Sequence, residues 1–316
     1  MPPIIDMSAN PLEWKVGLVG YGEVGRILAE DLRGRGVAVS AYDLKLGGED
    51  ASPLVAHAAR FGVHLFSSHA ALARDSDLLI SAVTASQTLA AARACAPYQA
   101  HALFLDLNSA SPGTKCEAGE LVTAAGGRYV EGAIMTSLPP HRIAVPLLLG
   151  GPYAESVMEP LTRLGFAPLS TDTRPGQVSA TKMCRSVMIK GLEAMLIESL
   201  TAARRYGVEE AVLTSLGETF PGIDWERQAD YMFSRVIAHG RRRAEEMREV
   251  AQTMREAGLE PWSSAGTAER QEWMAGLAHR GVFGGHNGSA KSSMPDWRIE
   301  ADRILAALPK TTIEDQ

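Results

Sequence analysis

The chain has 316 residues, enough for two domains or one large one with a substantial core. Its 46% hydrophobic and 22% charged content is that of a globular protein, and a formal net charge of −6 argues against a general binder of nucleic acid or anionic membrane. The three cysteines, Cys95, Cys116 and Cys184, have neither CxxC nor Cys/His ligand spacing, so a reduced, cytoplasmic setting without structural disulfides or zinc is expected. No apolar run approaches the ~20 residues that span a bilayer.

The opening stretch MPPIIDMSANPLE lacks the basic start and apolar core of a signal peptide, and residues 1–12 read as a short tail. Residues 15–19 form a short β-rich run feeding directly into Gly20-Tyr21-Gly22-Glu23-Val24-Gly25, after which residues 27–33 read as helix. That strand–turn–helix context is what a GxGxxG motif requires. Gly20 permits the tight turn, Gly22 lets a pyrophosphate approach the backbone, Gly25 allows helix and strand to pack closely, and free N–H groups at the helix start face the phosphates. A second strand over 37–42 ends in Asp43, about 20 residues downstream, where a carboxylate can accept the ribose hydroxyls. Asp43 would repel a 2′-phosphate and so favours NAD; Lys45, two residues later, keeps NADP open. The competing reading is a glycine-rich turn in an unrelated α/β domain.

Strand and helix then alternate through strands at 63–66, 77–83, 102–106 and 128–131, with helices such as 86–95 and 112–125 between them, which predicts a doubly wound parallel sheet. The end of the fourth strand, Ser81-Ala82-Val83-Thr84, and the loop after the fifth, Asp106-Leu107-Asn108-Ser109-Ala110-Ser111-Pro112, fall at the carboxyl edge, where such sheets bind ligands. Val83 and Thr84 are expected against the cofactor, and Asn108, Ser109 and Ala110 against the substrate. Ser111, just before a proline, is expected to cap the next helix. Residues 132–151 read as a loop through Thr136-Ser137-Leu138-Pro139-Pro140 and then a strand over 143–149. A helix over 154–164 and a strand over 166–170 complete a first domain, 13–174, which ends where Thr173-Arg174-Pro175-Gly176 punctuates the chain.

The run GQVSATKMCRSVMIKGLEAMLIESLTAARRYG, residues 176–207, contains no proline and one internal glycine, Gly191, and predicts a continuous helix of roughly 45 Å. Val187, Met188, Ile189, Leu192, Met195, Leu196, Ile197 and Leu200 leave it no broad polar face, so it is expected to be buried among other elements. Lys182, Lys190 and Glu193 lie in or beside this apolar run, with Lys190 and Glu193 plausible as an ion pair. On a 3.6-residue period Lys182, Ser186, Ile189 and Glu193 form one stripe.

Beyond this run the chain reads as helical over 209–218 and 225–258, in less regular turns over 265–277, and again over 297–308 after a glycine- and serine-rich segment at 281–293. The expected architecture is therefore an α/β Rossmann sheet followed by an all-α domain, 175–316, for substrate and dimerisation. So long an apolar helix is hard to bury in ~140 helical residues, which points to a homodimer sharing it. Arg241, Arg242 and Arg243 precede Glu245, Glu246, Arg248 and Glu249 on one long helix. A solvated, salt-bridged face is the default reading, but three consecutive arginines span ~200°, and Arg241 is a candidate for an anionic substrate. His57, His64, His69, His101 and His141 are scattered without ligand spacing, and no catalytic metal is expected.

Taken together, these residues resemble the β-hydroxyacid dehydrogenase superfamily, which includes 3-hydroxyisobutyrate and 6-phosphogluconate dehydrogenases, over most of the chain. The 20–25 motif is similar to the family's cofactor motif, and the 106–112 loop to its substrate motif, usually Asp-x-Ser-Thr-x-x-Pro, with Asn108 where serine is usual. Gly176 through Lys182 resembles the catalytic motif, so the family's general acid/base role falls on Lys182. The family asparagine one turn later is Ser186 here. Ile134-Met135-Thr136-Ser137 stands where Val-Ser-Gly-Gly is common, leaving Thr136 and Ser137 as substrate candidates. With the segment HGRRRAEEM, these departures look like a divergent subgroup whose C-terminal domain has no generally assigned function. The resemblance implies hydride transfer between NAD, or NADP, and the hydroxyl or carbonyl of a small anionic hydroxy or oxo acid, with lysine acid/base catalysis. Two alternatives stay open: an imine or ketimine reductase of the same fold, against which the retained lysine argues, and a non-catalytic dinucleotide-binding protein.

Overall fold

The computed structural model describes residues 8–48, 51–99, 102–284 and 296–309. The chain divides into two compact units, Met1–Cys184 and Arg185–Gln316. The first alternates strands and helices: β1 (Lys15–Val19), α1 (Glu23–Gly34), β2 (Ala38–Tyr42), α2 (Ala51–Phe61), β3 (His64–Leu65), α3 (His69–Asp75), β4 (Leu78–Ser81), α4 (Thr88–Cys95), β5 (Leu103–Asp106), α5 (Pro112–Ala124), β6 (Arg128–Ile134), α6 (Leu138–His141), β7 (Pro146–Gly150), α7 (Ala154–Leu164) and β8 (Ala167–Asp172). The strands form one sheet in the order β3-β2-β1-β4-β5-β6-β7-β8. Strands β4 and β5 are buried at every position, as the inner strands of a sheet covered on both faces must be. Period-2 alternation sorts their side chains between two cores: Val16, Leu18, Leu78, Ile80, Leu103 and Leu105 pack into one, and Val19, Leu79 and Phe104 into the other.

The sheet is the doubly wound, parallel-dominated one expected, with one antiparallel pair, β6 with β7. The connection over 135–145 holds only α6 and a single 3-10 turn, too little for the covering helix of a parallel crossover. The same turn delays the strand expected from 143 to Pro146. Its geometry is set by Arg142, whose φ of 52° is the non-glycine positive value among the described residues. That guanidinium donates to Asp31 at 2.7 Å and Glu30 at 2.6 Å, both on α1, while the Ile143 N–H donates to Asp31 at 2.9 Å. Helices α2 and α3 occupy stretches that the sequence reading left unassigned.

The long helix is present as α8 (Gln177–Tyr206), followed by α9 (Glu209–Thr219), α10 (Trp225–Glu256), α11 (Trp262–His279) and α12 (Trp297–Ala307). The units part inside α8, ten residues later than the punctuation at 174 suggested, because its first turns are hydrogen-bonded to β6 of the sheet. The second unit has its own core, including Leu196, Ile197, Leu200, Phe233, Val236, Met274, Leu277, Trp297 and Ile304. Helix α8 is not covered all round as its composition suggested: Met188, Met195 and Tyr206 are 72%, 63% and 78% exposed. Nor do Lys190 and Glu193 pair. Helix α10 offers each a better partner, so Glu193 takes the Arg243 guanidinium and Lys190 takes Glu246 at 2.9 Å. Of the 281–293 segment, residues 285–293 lie outside the described residues, as do residues 1–7 of the expected tail and His101. No helix among the described residues is long and apolar enough to cross a membrane.

Candidate active site

The strand order reverses direction between β1 and β4, and at that switch point the turns following both strands flank one crevice. Gly20 has φ +94°, and a Cβ there would lie 2.6 Å from the Ala82 carbonyl oxygen, so only glycine makes this turn beside the β4 loop. A Cβ on Gly25 would sit 2.2 Å from the Gly20 oxygen. Gly22 differs: a Cβ there would meet nothing within 4 Å, and as N-cap of α1 it puts no side chain over the first N–H groups, which leaves Glu23 and Val24 opening a helix start with room for an anion. Asp43 closes the motif. Its carboxylate accepts from the Tyr21 N–H at 2.7 Å and the Lys45 N–H at 2.9 Å, tying the turn to the end of β2 while each oxygen keeps a lone pair. The Lys45 side chain is exposed beside it.

Tyr21 serves through its backbone. Its side chain is fully buried, with the hydroxyl 2.8 Å from His57 Nδ1 and His57 Nε2 3.0 Å from Glu30; burial, foremost, pushes the phenol up to about 12. Val83 is half-buried and Thr84 exposed at the β4 end of the crevice.

The loop over 106–112 is held by a buried polar network. Asn108 is 3% exposed and its amide is committed at both ends: Oδ1 accepts from the Val83 N–H at 2.8 Å and Nδ2 donates to Ser81 Oγ at 2.9 Å. It braces the β4 and β5 loops together. Beneath it Asp106 is fully buried, bonded to Lys115 Nζ at 2.8 Å and to the Tyr129 hydroxyl at 2.8 Å. Burial, then the Asp106 charge, holds the Tyr129 phenol well above its ordinary range. Ala110 is buried, and Ser111 caps α5 by accepting from the Thr114 N–H at 3.2 Å.

Ser109 is the half-buried, chemically available member of the loop, and Lys182 Nζ donates to its hydroxyl at 2.6 Å. Glu131, which the sequence reading passed over, brings the lysine there. Its carboxylate, 1% exposed on β6, accepts from the Gly176 N–H at 2.9 Å and the Ser179 N–H at 2.7 Å, capping α8 just before Lys182. Gly176 completes the seat: at φ +83° its Cβ position lies 3.2 Å from Cys116 Sγ and 3.3 Å from Pro112 Cβ. The one signal for Glu131 was an acid in the middle of a strand, between Val130 and Gly132.

Of the remaining candidates, Thr136 is exposed, and Ser137 is half-buried at the N-cap of α6 with no side-chain capping bond. Ser186 and Arg241 belong to the second unit. Ser186 is 6% exposed and accepts from Lys190 Nζ at 3.2 Å. Arg241 is exposed, while Arg243, two residues on, is buried and paired with Glu193.

Known proteins resemble this chain in sequence and fold. Residues 203–274 match the family model described as a domain of unknown function, DUF1932. A conserved hypothetical protein from Sinorhizobium meliloti 1021 is 37% identical, with 94% of this chain and 97% of that one covered at a TM-score of 0.70. A conserved protein of unknown function, described as structurally similar to 3-hydroxyacid dehydrogenases, is 33% identical, with 84% and 99% covered at a TM-score of 0.64. The 3-hydroxyisobutyrate dehydrogenase of Mycobacterium tuberculosis, solved with L-serine, shares the fold at 13% identity, with 92% and 99% covered and a TM-score of 0.64. The chain belongs to the β-hydroxyacid dehydrogenase superfamily, in a divergent subgroup whose C-terminal domain has no assigned function.

Proposed function

We propose that this protein is an NAD(P)-dependent oxidoreductase that transfers a hydride between the nicotinamide and the hydroxyl or carbonyl carbon of a small acid, with Lys182 as acid/base. The observation that carries the reading is the Lys182–Ser109 pair, 2.6 Å apart at the carboxyl edge of the sheet that also bears the open turn at Gly22. The free N–H groups of residues 22–25 would hold the pyrophosphate and Asp43 the ribose hydroxyls, which favours NAD. The bound cofactor supplies or accepts the hydride. Lys182 takes the hydroxyl proton during oxidation and returns one during reduction, while Ser109 holds Nζ in place and shares the substrate oxygen. The Glu131 cap fixes the helix turn from which Lys182 extends.

Cofactor absorbance with a panel of hydroxy acids, oxo acids and cyclic imines tests the reaction. Lys182→Ala is expected to lower kcat by ~10²–10⁴-fold while cofactor affinity, read by fluorescence, stays unchanged. Full turnover by that variant would remove the lysine from the mechanism, and turnover of imines alone would reassign the substrate. The same reading includes a homodimer built on α8 and a reducing, cytoplasmic setting that suits the free thiols of Cys95, Cys116 and Cys184.

A further inference from the structure

The helical unit holds more positive than negative charge around one guanidinium. The 3.6-residue period of α10 puts Arg235, His239, Arg242, Arg243 and Glu246 on one side, and α8 contributes Lys190 and Glu193. Both carboxylates are already engaged: Glu193 with Arg243, and Glu246 with Lys190 at 2.9 Å and Arg242 at 3.8 Å. Four basic side chains, Lys190, Arg235, Arg242 and Arg243, thus share two acids, and Arg235 receives neither. Among the described residues no carboxylate lies within ion-pair distance of it, and its Nε is buried without an acceptor. Its one aromatic neighbour is the Tyr231 ring, 6.0 Å from Cζ. Burial, then the Arg243 charge, lowers its pKa from the ordinary value, yet an arginine stays protonated in water-exposed and buried sites alike. Arg235 is itself half-buried, and the Glu193 charge acts on it without a hydrogen bond, so its guanidinium has donor capacity left for a further acceptor.

Tyr231, one turn before Arg235, also lines a cavity of about 680 Å³ together with Leu192, Trp225, Arg227 and Met232. Its lining also includes Asp224 and Gln228 but not Arg235, which reaches it only past the Tyr231 ring, and the buried Trp225 Nε1 has no acceptor. The neighbourhood therefore offers a planar two-pronged donor beside space for an organic body.

We propose that Arg235 anchors an oxyanion-binding site in the helical unit, which takes the carboxylate or phosphate group of a small molecule in its guanidinium fork. The site is argued from the second unit alone and stands or falls separately from the hydride-transfer reading.

Crystals of the full chain soaked separately with selenate and with 4-bromobenzoate test it by anomalous scattering. A peak within hydrogen-bond distance of the Arg235 guanidinium is expected with at least one probe; selenate alone marks a phosphate-type site and bromobenzoate alone a carboxylate-type one. In solution, Arg235→Met and Arg235→Lys should each weaken binding of the successful probe by about tenfold or more, since lysine keeps the charge but loses the fork. No peak at Arg235 with either probe, or a guanidinium already occupied by a carboxylate from a second copy of the chain, would overturn the proposal. The wild-type soaks decide even if a variant fails to fold.

Discussion

Both oxygens of Glu131 are engaged by N–H groups of the first turn of α8, so its charge acts on a helix start and its geometry acts on Lys182, one turn on. Glutamine at this position keeps the shape but offers one acceptor and turns an amide N–H₂ towards a backbone donor. Glu131→Gln is therefore expected to lower stability by ~1–3 kcal/mol in denaturant titration and to reduce kcat more than the KM for cofactor. An unchanged kcat would mean that the cap is structural only. Lys115 makes a second, sharper case. It is 1% exposed on a fully buried Asp106, and Lys115→Met should cost ~3–5 kcal/mol by leaving that carboxylate unpaired, whereas Asp106→Asn added to it should recover much of the loss. The turn at Gly20, Gly22 and Gly25 and its approach to Asp43 were legible in the sequence as a local motif, whereas Lys182 entered through the family resemblance. Glu131 and the amide of Asn108 were not legible, since their partners lie 45, 48 and 25 residues away and are chosen by strand order rather than by local pattern.

At the scale of elements, most helices and strands follow from local periodicity, but what they pack against does not. The reversed β7 shows the limit: a strand's composition is indifferent to its direction, and only the short connection before it excludes the parallel arrangement. Two helix glycines separate the same two effects. Gly191 in α8 has open space, with Thr267 Oγ1 3.9 Å from its Cβ position, so Gly191→Ala should stabilise by up to ~1 kcal/mol through helix propensity. Gly240 in α10 meets the Gln271 carbonyl oxygen at 2.8 Å and the Ala275 nitrogen at 3.2 Å, backbone atoms that cannot step aside. Gly240→Ala should destabilise by ~1–3 kcal/mol despite the same propensity gain, and thermal melts of the two variants should shift in opposite directions.

Helix α12 is tied down by charge as well as by Trp297. Arg204 bonds Asp302 at 2.9 Å and holds that carboxyl below its usual range, and Arg298 does the same to Glu226 at 2.6 Å. Folded values below the unfolded ones mean that this stabilisation is complete above about pH 5 and disappears as pH falls through the folded values. The melting temperature of the wild type should accordingly drop more steeply in acid than that of an Arg204→Gln/Arg298→Gln variant. Parallel declines would show that these pairs contribute nothing to the acid response.

At the scale of the whole molecule, the unresolved demand is the outer side of α8. Met188, Met195 and Tyr206 are separated by seven and eleven residues, which places them within ~20° of one another around the helix, and Ser199 and Ala202 between them are small. Single exposed apolar side chains are ordinary, but a straight stripe of them along one helix is the mark of an interface. Small residues along it let a second helix approach closely, and a two-fold axis crossing the helix would set the stripe against itself, so the occupant argued for is a second copy of this chain. The sequence expectation of a dimer came from the absence of a polar face, and the exposed Met188, Met195 and Tyr206 are the residues on which it can be tested. If the stripe is only solvated surface, Met195→Glu should change stability by no more than ~0.5 kcal/mol, as surface substitutions do. If it is the interface, a buried unpaired charge faces its own symmetry mate. Light scattering should then find twice the chain mass for the wild type and a shift to monomer for Met195→Glu, and the wild-type melting temperature should rise with protein concentration while that of the variant does not. A wild type that elutes as a monomer at every concentration would leave the stripe without the partner assigned to it here.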